Sequence, residues 1–180
     1  ATKAMLGVAN IPGIKIMFRL VKDFFSSGGL NFFSNREAYT RHKDHGAADN
    51  YLTQQTKADI IYVGFYLAQS CDIGNILNCL VSLSNKGINV KVVLLDPSSP
   101  NISATSDFFM INKDHLISCV NETKNKLLKA RRNSVSEDNK KNFNIYLHNK
   151  PITTSAFIID GTMPKIGRIL LDHKLYGVAR

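Results

Sequence analysis

The sequence predicts an α/β fold, a mostly parallel mixed sheet flanked by helices, on three observations. Two dense apolar runs, residues 59–66 (DIIYVGFY) and 89–95 (NVKVVLL), have the β-branched and aromatic content of buried strands. Between them Ile73, Ile76, Leu77, Leu80, Val81 and Leu83 fall at helical spacing. Strand, helix and strand in that order read as a right-handed βαβ unit with parallel pairing. A chain of 180 residues is also long enough for one sizeable core and too short for two comfortable domains.

The elements follow in chain order. In residues 14–25 the stripe Ile14, Met17, Phe18, Val21, Phe24 and Phe25 is helical, with Lys15, Arg19, Lys22 and Asp23 off it, and Gly28 and Gly29 stop it. This divides the chain into residues 1–29, an amphipathic helix packed on or beside the domain, and residues 30–180, the α/β domain. Residues 30–33 suit a short strand, and Ser34 or Asn35 a cap for a helix over 36–57. That helix opens on the polar run 41–45, a solvated face; His42 and His45 are three apart but have no third ligand nearby, so no metal site is expected.

Asp72 stands where the N-cap of the βαβ helix belongs and Gly87 where its stop belongs. Asp96-Pro97 ends the second strand. The Ser/Pro/Asn-rich stretch 97–106 reads as a loop at the carboxyl end of that strand, where ligands of open α/β sheets approach. A helix is expected over 112–132 on Leu116, Val120, Leu127 and Leu128. Alternation over 143–147 and the run SAFII at 155–159, closing at Asp160-Gly161, give two more strands.

Hydrophobic residues make up 44% of the chain and charged residues 21%, ordinary globular usage that argues against disorder. The net charge is +9 and the sequence pI about 9.5, so the surface attracts anions: nucleic acid, nucleotides, phospholipid headgroups or an acidic partner. The excess is local: Lys124, Lys126, Lys129, Arg131, Arg132, Lys140, Lys141 and Lys150 lie between 121 and 150, with few aromatics among them to stack on bases. Cys71, Cys79 and Cys119 lack zinc or disulfide spacing and read as reduced thiols of a cytoplasmic protein. No stretch has the roughly 20 apolar residues of a membrane span. A start without Met and an abrupt stop at Arg180 suggest a piece of a longer protein with a fused domain.

Three segments carry a resemblance: VGFYL (63–67), SNKGINVKVVLLDP (84–97) and YLHNKPITTSAFIIDG (146–161). Over residues 59–161 the pattern resembles the phospholipase D-like superfamily, closest to its degenerate bacterial domains. Active members carry His-x-Lys-x4-Asp, in which an imidazole attacks phosphorus, a lysine neutralises the phosphoryl oxygens and a carboxylate orients a histidine. Two copies are needed, so single-motif members act as homodimers, with neither metal nor cofactor.

Here the motif is eroded in either register. If His148 and Lys150 open it, Ser155 stands at the aspartate position; if Asp160-Gly161 closes it, Thr153 and Ser155 stand at the histidine and lysine positions. The resemblance makes His148 (nucleophile), Lys150 (phosphate clamp) and Asp160 (carboxylate) the candidate catalytic residues. Lys140, Lys141, Thr153 and Ser155 are the candidate ligand-binding residues. The expected function is a non-catalytic domain binding a phosphate-containing ligand, a nucleotide or a nucleic-acid backbone, as a sensor or interaction module. The alternatives are a metal-independent homodimeric phosphodiesterase or nuclease, and a protein-interaction domain.

Overall fold

The computed structural model describes residues 48–67, 73–151, 154–163 and 166–173. The helix expected over 14–25, the strand at 30–33, the first part of the 36–57 helix with His42 and His45, Cys71, the Asp72 cap and Thr153 lie outside the described residues.

The described chain runs α1 (Ala48–Gln55), β1 (Asp59–Gly64), α2 (Ile73–Asn85), β2 (Asn89–Leu95), α3 (Ile102–Phe109), α4 (Lys113–Asn133), a 3₁₀ turn (Glu137–Asn142), β3 (Phe143–His148), β4 (Thr154–Ile159) and β5 (Arg168–His173). The strands form one five-stranded mixed sheet in the order β3-β2-β1-β4-β5. β1 pairs parallel with β2, and β2 with β3; β4 runs antiparallel to both β1 and β5. The expected βαβ unit is therefore β1-α2-β2, and β1, not an edge strand, joins the parallel and antiparallel halves.

Side chains alternate across the pleat, so Ile60 and Tyr62 of β1, Val90, Val92 and Leu94 of β2, Phe143 of β3 and Ile159 of β4 share one face. They form a continuous core with Leu52 of α1, Ile76, Cys79, Leu80 and Leu83 of α2, and Leu127 of α4. Each fully buried leucine contributes roughly 1.5–3 kcal/mol of apolar transfer free energy. A smaller cluster of Phe65, Leu95, Ile102, Leu116 and Val120 joins α3 and the start of α4 to the ends of the parallel strands. On the other sheet face the register lines up Tyr146, Val93, Val63, Ala156 and Leu171 in one row. At its β5 end this face is open: Ile169 is 64% and Leu171 63% exposed.

Local signals explain the element ends. Gly87, at φ +83°, takes the left-handed turn that ends α2, and the Ile88 N–H donates to the Leu83 carbonyl at 3.1 Å. The Asn112 side chain accepts from the His115 N–H at 3.0 Å and so caps α4. Residues 97–106, expected as a loop, are loop only to Asn101. From Ile102 on, the buried side chains of Ile102, Thr105 and Ser106 hold a two-turn helix against the smaller cluster, overriding a composition that favours turns. β5 was not among the expected strands; its short RILLDH run gains its order by pairing along the whole of β4. Cys79 and Cys119 are free and buried, and burial pushes both thiols above their ordinary range.

Candidate functional site at the carboxyl end of the parallel strands

β1, β2 and β3 run in one direction, so the segments following Gly64, Leu95 and His148 leave the sheet at the same end. Hydrogen bonds knit two of these segments together. The Asp96 N–H donates to the His148 carbonyl at 2.8 Å, lengthening the β2–β3 ladder by one residue. Beyond it, the Asn149 carbonyl accepts from Asn101 Nδ2 at 2.6 Å and from Ser99 Oγ at 3.2 Å. The Asp96 carboxylate accepts from the Ser98 hydroxyl at 2.7 Å and its N–H at 2.8 Å. These two bonds hold Asp96 below the usual carboxylate range, with Lys124 adding a smaller pull.

His148 is the last residue of β3, lies opposite Leu95 and is half-buried. Its Nε2 is buried with no hydrogen-bond partner among the described residues. Burial pushes the imidazole below its ordinary range, and the nearby backbone of Gly64 and of Lys150 offsets this only in part. Burial thus disfavours the charged form of the ring. Lys150, two residues on, is exposed.

Gly64 sets the geometry beside this ring. Tyr62 leans along β1 over Gly64, and its hydroxyl donates to the Tyr66 carbonyl at 2.9 Å. A Cβ at position 64 would overlap the Tyr62 phenol, so only glycine lets Tyr62 fix the 64–66 turn.

The sequence-predicted residues separate into two groups. His148 and Lys150 share the carboxyl end of the parallel strands, and Ser155, buried near the start of antiparallel β4, is at that end too. Three strand spacings separate Ser155 from His148, roughly 14 Å at 4.8 Å each. Asp160, Lys140 and Lys141 lie at the opposite end. Asp160 follows the last residue of β4, beside the first residue of β1, while Lys140 and Lys141 precede β3. A strand of six residues spans on the order of 20 Å, so the Asp160 carboxylate does not reach His148.

The Asp160 carboxylate is instead occupied. It is 1% exposed and accepts from the N–H groups of Lys57 at 3.0 Å, Ala58 at 2.7 Å and Asp59 at 3.2 Å. Such a nest of successive N–H groups is an anion site filled by the chain's own carboxylate. In return Asp59 accepts from the Gly161 N–H at 3.1 Å and from the Thr162 hydroxyl.

The basic stretch is likewise partly structural. Arg131 Nε donates to the Phe143 carbonyl at 2.8 Å, Lys126 pairs with Glu122 at 2.6 Å, and Lys140 pairs with Glu137. Lys129, Arg132 and Lys141 are exposed. A shallow groove of about 550 Å³ follows the solvent side of α4 and is lined by Ser118, Asn121, Glu122, Asn125, Lys126 and Lys129. It shares no residue with the His148 site. Among the described residues no three His, Cys, Asp or Glu side chains gather to hold a metal, and no helix is long and apolar enough to cross a membrane.

Sequence reasoning did not single out Phe108 or Phe109, whose helix α3 packs Phe109 against Phe65 just beyond β1. The available signal was the Phe-Phe-Met run after an amphipathic turn. No protein-family model, curated protein or solved structure matches the chain.

Proposed function

We propose that this domain binds a phosphate-bearing anion, a nucleotide or a nucleic-acid backbone, at the carboxyl end of β1–β3, and does not cleave it by His-x-Lys-x4-Asp chemistry. The observation that carries this reading is the separation of the motif residues. His148 ends β3 and the exposed Lys150 follows it, at the end of the sheet where ligands of open α/β sheets bind. The third residue, Asp160, is buried at the other end with its oxygens committed to the 57–59 backbone. A hydrolytic site would need another carboxylate to orient an imidazole, and Asp96, the neighbour in the ladder, is held by Ser98. The net charge of +9 favours the approach of such anions. The phospholipase D-like resemblance adds the expectation of a homodimer.

The test is titration with inorganic phosphate, a phosphomonoester and a generic phosphodiester in EDTA, followed by amide and imidazole chemical shifts. Saturable shifts at His148 and Lys150, weakened at least tenfold (about 1.4 kcal/mol) by Lys150→Ala, are expected, with no turnover. Metal-independent turnover abolished by His148→Ala would replace this reading with the phosphodiesterase one. Absence of binding to all three compounds would discard both.

A further inference from the structure

The β3 edge of the sheet carries an exposed ring among cations. β3 is an outermost strand, and Tyr146, near its middle, is 48% exposed. The register sets Asn144 of β3 opposite Lys91 of β2, and Tyr146, two residues on, belongs to the same sheet face. The backbones of Lys91 and Tyr146 are thus diagonal neighbours about 8 Å apart, within reach of a long side chain and a ring. Lys141 joins them, because Asn144 Nδ2 donates to the Lys141 carbonyl at 3.0 Å. Lys91 and Lys141 are both exposed. Asp59, on this face opposite Asn89, is buried and its oxygens accept from the Gly161 N–H and the Thr162 hydroxyl.

This edge runs directly into the anion site. Lys150 is four residues beyond Tyr146, so their backbones are at most about 14 Å apart. From the level of Asn144 and Lys91 to Lys150 the strip measures at most about 20 Å. A bare phosphate or a mononucleotide fills one end of that length. A single-stranded nucleic acid fills all of it, with phosphates for the lysines and an unpaired base whose π-face can stack on the tyrosine. A duplex keeps its bases inside the stack and has none to offer the ring.

Resting on the phosphate-binding reading, we infer that the ligand is single-stranded nucleic acid laid along the β3 edge. One phosphate meets the Lys150 end, a base stacks on Tyr146, and a further phosphate meets Lys91 and Lys141. Stacking tolerates any base, so this strip reads strandedness and not sequence. Lys91 lies far from the basic stretch in the chain, and the β2–β3 pairing is what brings it there.

The experiment is fluorescence anisotropy on the full chain in EDTA with a labelled oligothymidylate of about 12 nucleotides, beside a duplex of the same length and inorganic phosphate. The single strand should bind at least about fivefold more tightly than the duplex. Tyr146→Leu should weaken it by about fivefold or more, and Tyr146→Phe, which keeps the ring, should stay within about twofold of the parent. Lys91→Gln should weaken it and make the slope of log affinity against log salt shallower by about 0.7. Lys129→Gln, the same charge change on the solvent side of α4, should leave that slope as it is. All three altered residues are exposed, and equal denaturant midpoints check that each variant keeps its fold. No loss from Tyr146→Leu, or equal losses from Lys91→Gln and Lys129→Gln, would overturn this inference and leave phosphate binding at the end of β3 standing. Polyglutamate competing as well as the single strand would overturn it in favour of an acidic protein partner. Failure of both the oligonucleotide and inorganic phosphate to bind would overturn both readings.

Discussion

The Asp160 N–H donates to the Asp59 carbonyl at 2.8 Å, and the carboxylate of each residue then accepts from the backbone at the other's strand end. This reciprocal clasp closes the amino end of β1 onto the end of β4. Asp160→Ala strands several buried N–H groups and leaves a non-glycine residue at φ 51°. A loss of about 3 kcal/mol in urea unfolding is expected. Asp160→Asn, which retains one acceptor oxygen and tolerates the left-handed region, should lose roughly half as much. A change below about 0.5 kcal/mol for Asp160→Ala would show that the clasp is not stabilising.

The depressed pKa of His148 gives stability a definite pH dependence. The unfolded chain carries histidine near its ordinary value of 6.5, and burial holds the folded value lower. Between the two the unfolded state binds more protons. The contribution is therefore fully present above 6.5 and is lost as the pH falls from there through the folded-state value. His148→Phe removes this linkage, so its stability should drop less than the parent's between about pH 7.5 and pH 5.5. Parallel pH profiles for the two proteins would contradict the assignment.

Gly64→Ala tests the turn beside the candidate site. The added methyl overlaps the Tyr62 phenol, and Tyr62 is 4% exposed with its ring 4.9 Å from Phe157. Displacing it breaks the bond to the Tyr66 carbonyl and strains the core by about 1–3 kcal/mol. Ligand affinity should fall with it, since the 64–66 turn carries the backbone beside His148. Unchanged stability together with unchanged affinity would refute this account.

The two faces of the sheet should respond differently to truncation. Leu127→Ala, at a fully buried position in the main core, should cost about 2–5 kcal/mol. Leu171→Ser, at a position 63% exposed, should stay within about 0.5 kcal/mol. Comparable losses at the two sites, measured by denaturant midpoint, would mean that the exposed β5 row is buried in solution.

The parallel half of the domain is legible in the sequence because its signals are local. The two apolar runs mark β1 and β2, Gly87 marks the end of α2, and Asn112 the start of α4. α3 is hidden because Ser and Thr dominate its turns and its order comes from burying Ile102, a tertiary effect. The direction of β4 is equally hidden: SAFII has the same composition in either orientation. That direction decides the site, for it carries Asp160 to the end opposite His148. The resemblance offered His148, Lys150 and Asp160 as candidates from two different registers, and the topology puts Asp160 at the end opposite the other two. Thr153 and the amphipathic segment 14–25 lie outside the described residues.

The central position of β1 also dictates an order of assembly. β1 takes one neighbour, β2, after a single helix, but its other neighbour, β4, is encoded about a hundred residues later, with Ile60 opposite Ile159. During synthesis β1, β2 and β3 can zip together first, leaving one flank of β1 as a raw edge that invites pairing with other chains. Closure by β4 carries the loop entropy of a distant contact and is expected to follow the parallel pairings. In pulse-labelling hydrogen exchange, β1 amides pointing toward β2 should gain protection before those pointing toward β4. The strand at the middle of the finished sheet is thus completed only after residues 154–159 are made, and a nascent chain stalled before residue 154 keeps that edge open.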